Sequence, residues 1–128
     1  MTAPIRFLSR DAVIALHRES LAVHGGVDGM RDTGLFDSAM LRCVNRAAQR
    51  PDAPITELAA ALAHGLATNR PFNDGNERIA MIAAFGLLEV NGWRVTATEL
   101  EARQAFVGLA AGQVSEAELA GWLARVSE

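Results

Sequence analysis

Arg70-Pro71-Phe72-Asn73-Asp74-Gly75-Asn76-Glu77-Arg78 separates the two most apolar helical patterns of the chain. Before it, Leu58, Ala61, Leu62, Gly65 and Leu66 recur at helical spacing over about 57–69, a helix that Thr56 opens. After it a helix is expected over about 76–90. Its residues 79–88 are apolar nearly all round, the mark of a central helix buried on several sides. Asn91-Gly92 ends that helix with left-handed cap chemistry. Between the two, Pro71 leads the chain out of a helix and Phe72 offers an apolar anchor. Asn73-Asp74-Gly75-Asn76 is turn chemistry: Gly75 allows a backbone closed to other residues, and Asn76 can cap the next helix.

Outward from this hairpin the pattern stays helical. Ser9 caps a first helix to about residue 24, with Val13, Ile14, Leu16 and Leu21 as its apolar stripe and Gly25-Gly26 as its stop. Residues 25–33 are glycine-rich and polar, hence a loop. A second helix over about 34–49 turns Leu35, Phe36, Met40, Leu41 and Val44 inward, and Pro51 and Pro54 break the chain after it. Residues 93–97 form a short extended link. Thr98-Glu99-Leu100-Glu101 and Ser115-Glu116-Ala117-Glu118 read as capping boxes. The first opens a fifth helix to about 111, and the second a short last helix with Leu119, Trp122 and Leu123 inward. Ala59, Ala60, Ala61, Ala63, Gly65 and Ala67 let a neighbouring helix approach closely. No two alternating β-runs pair, so the expected fold is all-α: one domain over 1–128, of about six helices.

Bulk properties narrow the function classes. The chain has 128 residues, half of them apolar, enough for one domain with a real core. A net charge of −3 and a pI near 5.6, without a basic stripe, speak against a nucleic-acid binder. A helix–turn–helix reader over 56–90 is further disfavoured, because a recognition helix needs an exposed polar face. The lone Cys43 excludes an internal disulfide and suits a reducing cytosol; its helical setting makes it a small core residue. Residues 1–8 lack the basic and apolar regions of a signal peptide, and residues 79–88 are too few to span a bilayer. A cytoplasmic protein without a membrane partner is therefore expected.

The quoted stretch also carries chemistry. The N-terminus of the helix that follows it presents free N–H groups and the positive end of a dipole, a setting suited to phosphate. Arg78, in the first turn, adds a forked cation that holds phosphate oxygens bidentately. Asp74 offers a hard carboxylate for Mg²⁺ shared with phosphates. Against this stands a plain helix–turn–helix connection, with Asp74 a turn residue and Arg78 a solvated charge. Turn chemistry alone favours the plain connection.

The full spacing adds a resemblance. The stretch is similar to the active-site motif of the Fic/Doc superfamily, His-x-Phe-x-x-Gly-Asn-(Gly or Lys)-Arg. It most closely resembles the form found in the Doc (death-on-curing toxin) branch, His-Pro-Phe-x-Asp-Gly-Asn-Lys-Arg. Pro71, Phe72, Asp74, Gly75, Asn76 and Arg78 match at their offsets. Gly25-Gly26, the run Arg31-Asp32-Thr33-Gly34-Leu35-Phe36-Asp37-Ser38-Ala39, and Glu89-Val90-Asn91-Gly92 resemble that branch as well, so the likeness covers nearly the whole chain. Longer Fic members carry a second arginine where this chain has Met81, as in the shorter Doc form.

The resemblance implies ATP and Mg²⁺ as cofactors and transfer to a hydroxyl of a target protein. For the Doc branch it implies transfer of the terminal phosphate to elongation factor Tu, arresting translation, and a Phd-type antitoxin as partner. It makes Asp74 the metal-binding catalytic residue. Gly75, Asn76 and the following backbone N–H groups become the anion hole, with Glu77 in the same nucleotide-binding run. Arg78 becomes the phosphate clamp and Phe72 the structural anchor. Two positions depart. Arg70 stands where the family has its general-base histidine, and a guanidinium with a pKa above about 12 cannot take a proton near neutral pH, whereas histidine, near about 6.5, can. Glu77 stands where lysine is usual and puts negative charge beside the phosphate site, although an acid also suits a first helical turn. None of the other histidines is an obvious substitute. His64 lies six residues upstream, roughly 9 Å along the helix, and reads as a partly buried helix residue. His17 and His24 read as packing or surface residues of the first helix. The expectation is a Doc-type phosphotransferase with impaired catalysis. The alternatives are Fic-type nucleotidyl transfer (AMPylation) and a non-catalytic binding module on the same fold.

Overall fold

Each helix in the computed structural model, which describes residues 4–128, starts or stops on identifiable chemistry. Residues 1–3, at the head of the segment read above for a leader, lie outside the described part. Ser9 accepts from the Ala12 N–H at 3.0 Å and starts α1 (Arg10–His24), which Gly25 stops at φ 80°. Asp32 accepts from the Leu35 N–H at 2.9 Å and starts α2 (Thr33–Gln49). Pro54 precedes α3 (Ile55–Asn69) without a side-chain cap. Gly75 precedes α4 (Asn76–Val90). Thr98 and Ser115 cap α5 (Glu99–Ala110) and α6 (Glu116–Arg125). The described residues contain no strand. Isolated antiparallel bridges join Met30 to Phe72 and Val95 to Ser127, and the second ties the extended link before α5 to the C-terminal residues.

The all-α expectation therefore holds, with small corrections. The third helix begins at Ile55, so Thr56 is a buried residue of its first turn rather than its opener. Ser115 and Glu118 form a complete capping box; Thr98 accepts from the Glu101 N–H at 3.1 Å, but the return bond from Glu101 is absent. On α2 the buried face is Phe36, Ala39 and Cys43, while Leu41 and Val44, expected inside, are 53 % and 42 % exposed. The helix meets α3 along a narrow seam, so a wide apolar stripe is only partly covered. Trp122 is half-buried and joins Phe85 and Phe106 in an aromatic cluster between α4, α5 and α6.

The centre of the molecule is α3 as much as α4. Only Glu57, His64, Thr68 and Asn69 of α3 escape full burial, and it packs against α2, α4, α5 and α6. Its small residues make this possible. A Cβ placed on Gly65 would lie 3.0 Å from the Ala39 Cα and from the Arg42 Cδ of α2, so even a methyl there would have to push the α2 backbone at Ala39 aside by a few tenths of an ångström. Near this seam Glu116, at the start of α6, pairs with Arg42, with Arg46 at 2.8 Å, and lies 3.5 Å from His64 Nδ1. Burial, and then the Arg42 charge, make His64 a weaker base than an ordinary histidine. Cys43 behaves as core: burial pushes its thiol up to about 12. With α3 and α4 side by side, and α1 and α5 both against α4, the link of residues 70–75 is held at one end of the bundle.

The helix seam makes a paired prediction. Gly65→Ala should lower the unfolding midpoint, because overpacking of about 1–3 kcal/mol outweighs the roughly 1 kcal/mol gained in helix propensity. Gly86→Ala, whose Cβ would meet only Leu8 Cδ1 at 3.6 Å, should raise it. Thermal or denaturant unfolding of the two variants checks both signs.

Candidate active site

The link between α3 and α4 runs antiparallel to the glycine-rich residues 26–32, and the two are joined almost residue for residue. Val27 N–H donates to Asp74 Oδ2 at 2.8 Å, and Asn73 N–H to the Gly29 carbonyl at 3.1 Å. Asn73 Nδ2 reaches the Asp28 carbonyl at 3.1 Å, and the Arg31 and Asp32 N–H groups share the Pro71 carbonyl at 2.7 and 3.1 Å. The Arg31 guanidinium then caps the end of α3, donating to the Asn69 and Arg70 carbonyls, each at 2.8 Å. Glycine is needed in this strap. Gly26 and Gly29 have φ 125° and 108°, and a Cβ on Gly26 would sit 2.9 Å from Leu21 and 3.2 Å from the Asp74 Cβ.

Phe72 anchors the link beneath. It is buried, stacked on His17 with ring centroids 3.7 Å apart, and edge-on to Phe36 at 5.4 Å. Asn76, read above as a helix cap, does something else. Gly75 is the cap, and the Asn76 side chain turns back to clasp the backbone of Phe72. Its Oδ1 accepts from the Phe72 N–H and its Nδ2 donates to the Phe72 carbonyl, both at 3.0 Å. At 3 % exposure, that side chain shapes the loop, and only its backbone N–H remains for a ligand. The N–H groups of Asn76, Glu77 and Arg78 find no acceptor among the described residues; the first bond of α4 runs from Ile79 N–H to the Gly75 carbonyl at 2.9 Å.

These donors open onto a cleft of about 630 Å³ between the start of α4 and α5. Arg70, Gly75, Asn76, Glu77 and Arg78 line one side, Met81, Ile82 and Phe85 the floor, and Thr98, Glu99, Arg103 and Phe106 the far wall. Among the described residues, Arg70, Arg78, Arg103, Glu77 and Glu99 form no ion pair, in contrast to Arg10, Arg42, Arg46, Arg50 and Arg94. Arg70 is exposed and holds φ 49°, ψ 57°, and no other non-glycine residue described has a positive φ. Asp74 is not part of the cleft lining; one of its carboxylate oxygens is taken by Val27, leaving Oδ1 available. No group of three or more His, Cys, Asp or Glu side chains able to hold a metal occurs among the described residues.

The structure thus brings Arg70, Gly75, Asn76, Glu77 and Arg78 together and sets Asp74 behind them. The sequence reading missed the strap of residues 26–32 as a partner of the link, Arg31 as the cap of α3, and α5 as the opposite wall. It read His17 as a packing or surface residue, whereas His17 is buried and bonds the loop backbone. Gly26 and Gly29, directly after the Gly25 that stops α1, were the available signal for the strap. His24 closes α1 at the cleft's edge and is the one histidine that lines it.

A family model described as the Fic/DOC family matches residues 7–88. A protein named Protein kinase doc, from Escherichia phage P1, is 31 % identical over 122 residues, 95 % of this chain and 96 % of that protein.

Because Asn76 satisfies two buried backbone groups, Asn76→Ala should lower the unfolding free energy by about 2 kcal/mol or more. Asn73→Ala, which removes one exposed bond, should lower it by less than about 1 kcal/mol. Urea titration of both variants separates the two roles.

Proposed function

The chain belongs to the Fic/DOC family, and from that membership we propose that it is a Doc-type toxin: an ATP-dependent phosphotransferase to a protein hydroxyl, impaired at one catalytic position. The supporting observation is the start of α4, where three unbonded N–H groups and the Arg78 side chain face a cleft large enough for a nucleotide. In this reading those donors and Arg78 hold the phosphates. The apolar floor of Met81, Ile82 and Phe85 takes less polar parts of the nucleotide. The target's hydroxyl oxygen bonds to the γ-phosphorus as the bond to the β–γ bridging oxygen breaks, ADP leaves, and the hydroxyl proton must pass to a base.

Mg²⁺ fits only as a companion of the nucleotide. The free Asp74 Oδ1 is one protein donor, and Mg²⁺ commonly takes one or two carboxylates with phosphates and water completing its shell. When bound, it would neutralise charge developing on the phosphates. The proton is where this chain is deficient, because the Arg70 guanidinium cannot accept it. Arg70 instead adds a cation to the phosphate side of the cleft, while Glu77 opposes it. The remaining components are proposals drawn from the family likeness: a cytoplasmic setting, elongation factor Tu as acceptor with arrest of translation, and a Phd-type antitoxin as partner. Among the described residues no helix is long and apolar enough to cross a membrane.

A test uses the chain and its Arg70→His variant with Mg²⁺, ATP labelled at the α or the γ phosphate, and elongation factor Tu. Transfer of γ label alone, by the variant and not the parent, is expected. Transfer of α label would move the assignment to nucleotidyl transfer. Transfer of γ label by the parent would refute the impairment and direct attention to His24. Failure of both to transfer, with Mg²⁺-ATP bound, would favour a non-catalytic binding module.

A further inference from the structure

Asp74 contributes a carbonyl to the loop as well as a carboxylate. In an uninterrupted helix that carbonyl would accept from the N–H of Arg78, four residues on. Here it points instead to His17 Nε2, 2.8 Å away. A carbonyl only accepts, so the bond requires the His17 tautomer with its proton on Nε2. Gly75, at φ 76° and ψ 21°, breaks the helical run at the next residue, and α4 begins at Asn76. The Arg78 N–H, deprived of its ordinary acceptor, is left facing outward.

His17 is built into this arrangement from below. It is 1 % exposed and stacks on Phe72 with an interplanar angle of 12°. A Cβ on Gly75 would lie 3.6 Å from its Nε2. One buried imidazole therefore meets the link at Phe72, Asp74 and Gly75. It comes from α1, an element remote in sequence from the loop it touches.

We propose that His17 is a positioning residue for the phosphate cradle. By holding the Asp74 carbonyl it fixes the start of α4 at Asn76 and keeps the N–H groups of Asn76, Glu77 and Arg78 open to a phosphate-bearing ligand. The inference rests on the reading of this helix start as a nucleotide-phosphate site. His17 itself touches no substrate. Its competing role is packing alone, through the stack on Phe72. The two roles respond in opposite directions to two substitutions. His17→Phe keeps an aromatic ring on Phe72 and loses the donor. His17→Gln loses the ring and keeps an N–H at comparable reach.

The experiment measures Mg²⁺-ATP affinity by calorimetry for the full chain and both variants, with Arg78→Ala as reference. Amide hydrogen exchange over residues 72–80 is followed without nucleotide. Only variants with cooperative thermal unfolding are compared, and His17→Leu serves as the donorless variant if His17→Phe does not fold. The positioning role predicts affinity roughly tenfold or more weaker in His17→Phe, with altered exchange at residues 74–79. It predicts His17→Gln within about threefold of the parent, since the donor is retained. The reverse order, or equal effects of the two, overturns it. If the parent binds no Mg²⁺-ATP, the phosphate reading itself fails. Exchange then decides the narrower point: protection at 74–79 retained by glutamine and lost with the donorless variant upholds His17 as the anchor of the loop, and equal exchange in both overturns it.

Discussion

Two apolar helices, α3 and α4, lie side by side, and the chain must reverse between them within residues 70–75. This reversal is the constraint on which the rest of the molecule turns. It places Arg70 in a left-handed conformation, φ 49°, directly before a proline, where the neighbouring ring already restricts the backbone. A non-glycine residue held in such a region stores strain of order 1–3 kcal/mol, and the surroundings must hold it there. They do so from both sides. Arg31 binds the Asn69 and Arg70 carbonyls from outside, while the Phe72 ring is held between His17 and Phe36 inside. The glycine-rich strap is thus a structural counterpart of the link.

This explains how far the sequence could be read. Helices with their own periodicity and caps were legible, because Ser9, Gly25, Gly92 and Ser115 act locally. The link was legible as a turn and, through its spacing, as a family motif. What could not be read was whatever depends on elements distant in the chain meeting in space. Asn76 illustrates this: at the head of a helix an asparagine suggests a cap, but Gly75 takes the cap position and frees the amide to clasp Phe72. Leu41 and Val44 illustrate a second limit. Apolar periodicity marks which face could be buried, whereas the width actually covered depends on how close α3 comes, and Gly65 sets that. The α5 wall carries a helix start at Thr98 but nothing that says it faces the link.

The charges of the site follow a different logic from those of the scaffold. Along the α2–α3–α6 seam, arginines meet glutamates and are half-covered. In the cleft, Arg70, Arg78 and Arg103 share space with Glu77 and Glu99 and pair with none of them among the described residues. Unpaired cations beside free helix N–H groups leave electrostatic demand for an anion. The acids temper that demand, and Glu77 does so at the mouth of the helix, so the field an anion would meet there is the balance of the two signs.

Shape and chemistry are carried by different residues, which is why an altered motif is compatible with an intact fold. The contacts that fix the link use the side chains of His17, Arg31, Phe36, Phe72, Asn73, Asp74 and Asn76, together with the backbone. Arg70 contributes its φ, ψ and carbonyl, while its side chain is exposed in the cleft. Any residue able to accept the left-handed backbone before Pro71 would leave those contacts in place. Under the proposed function, a guanidinium in place of a proton-accepting side chain would change what the site does with a proton without disturbing how the site is built. A chain with arginine at this position keeps the helix start, the cleft and the strap, so that, under the proposed function, binding and transfer rest on different groups.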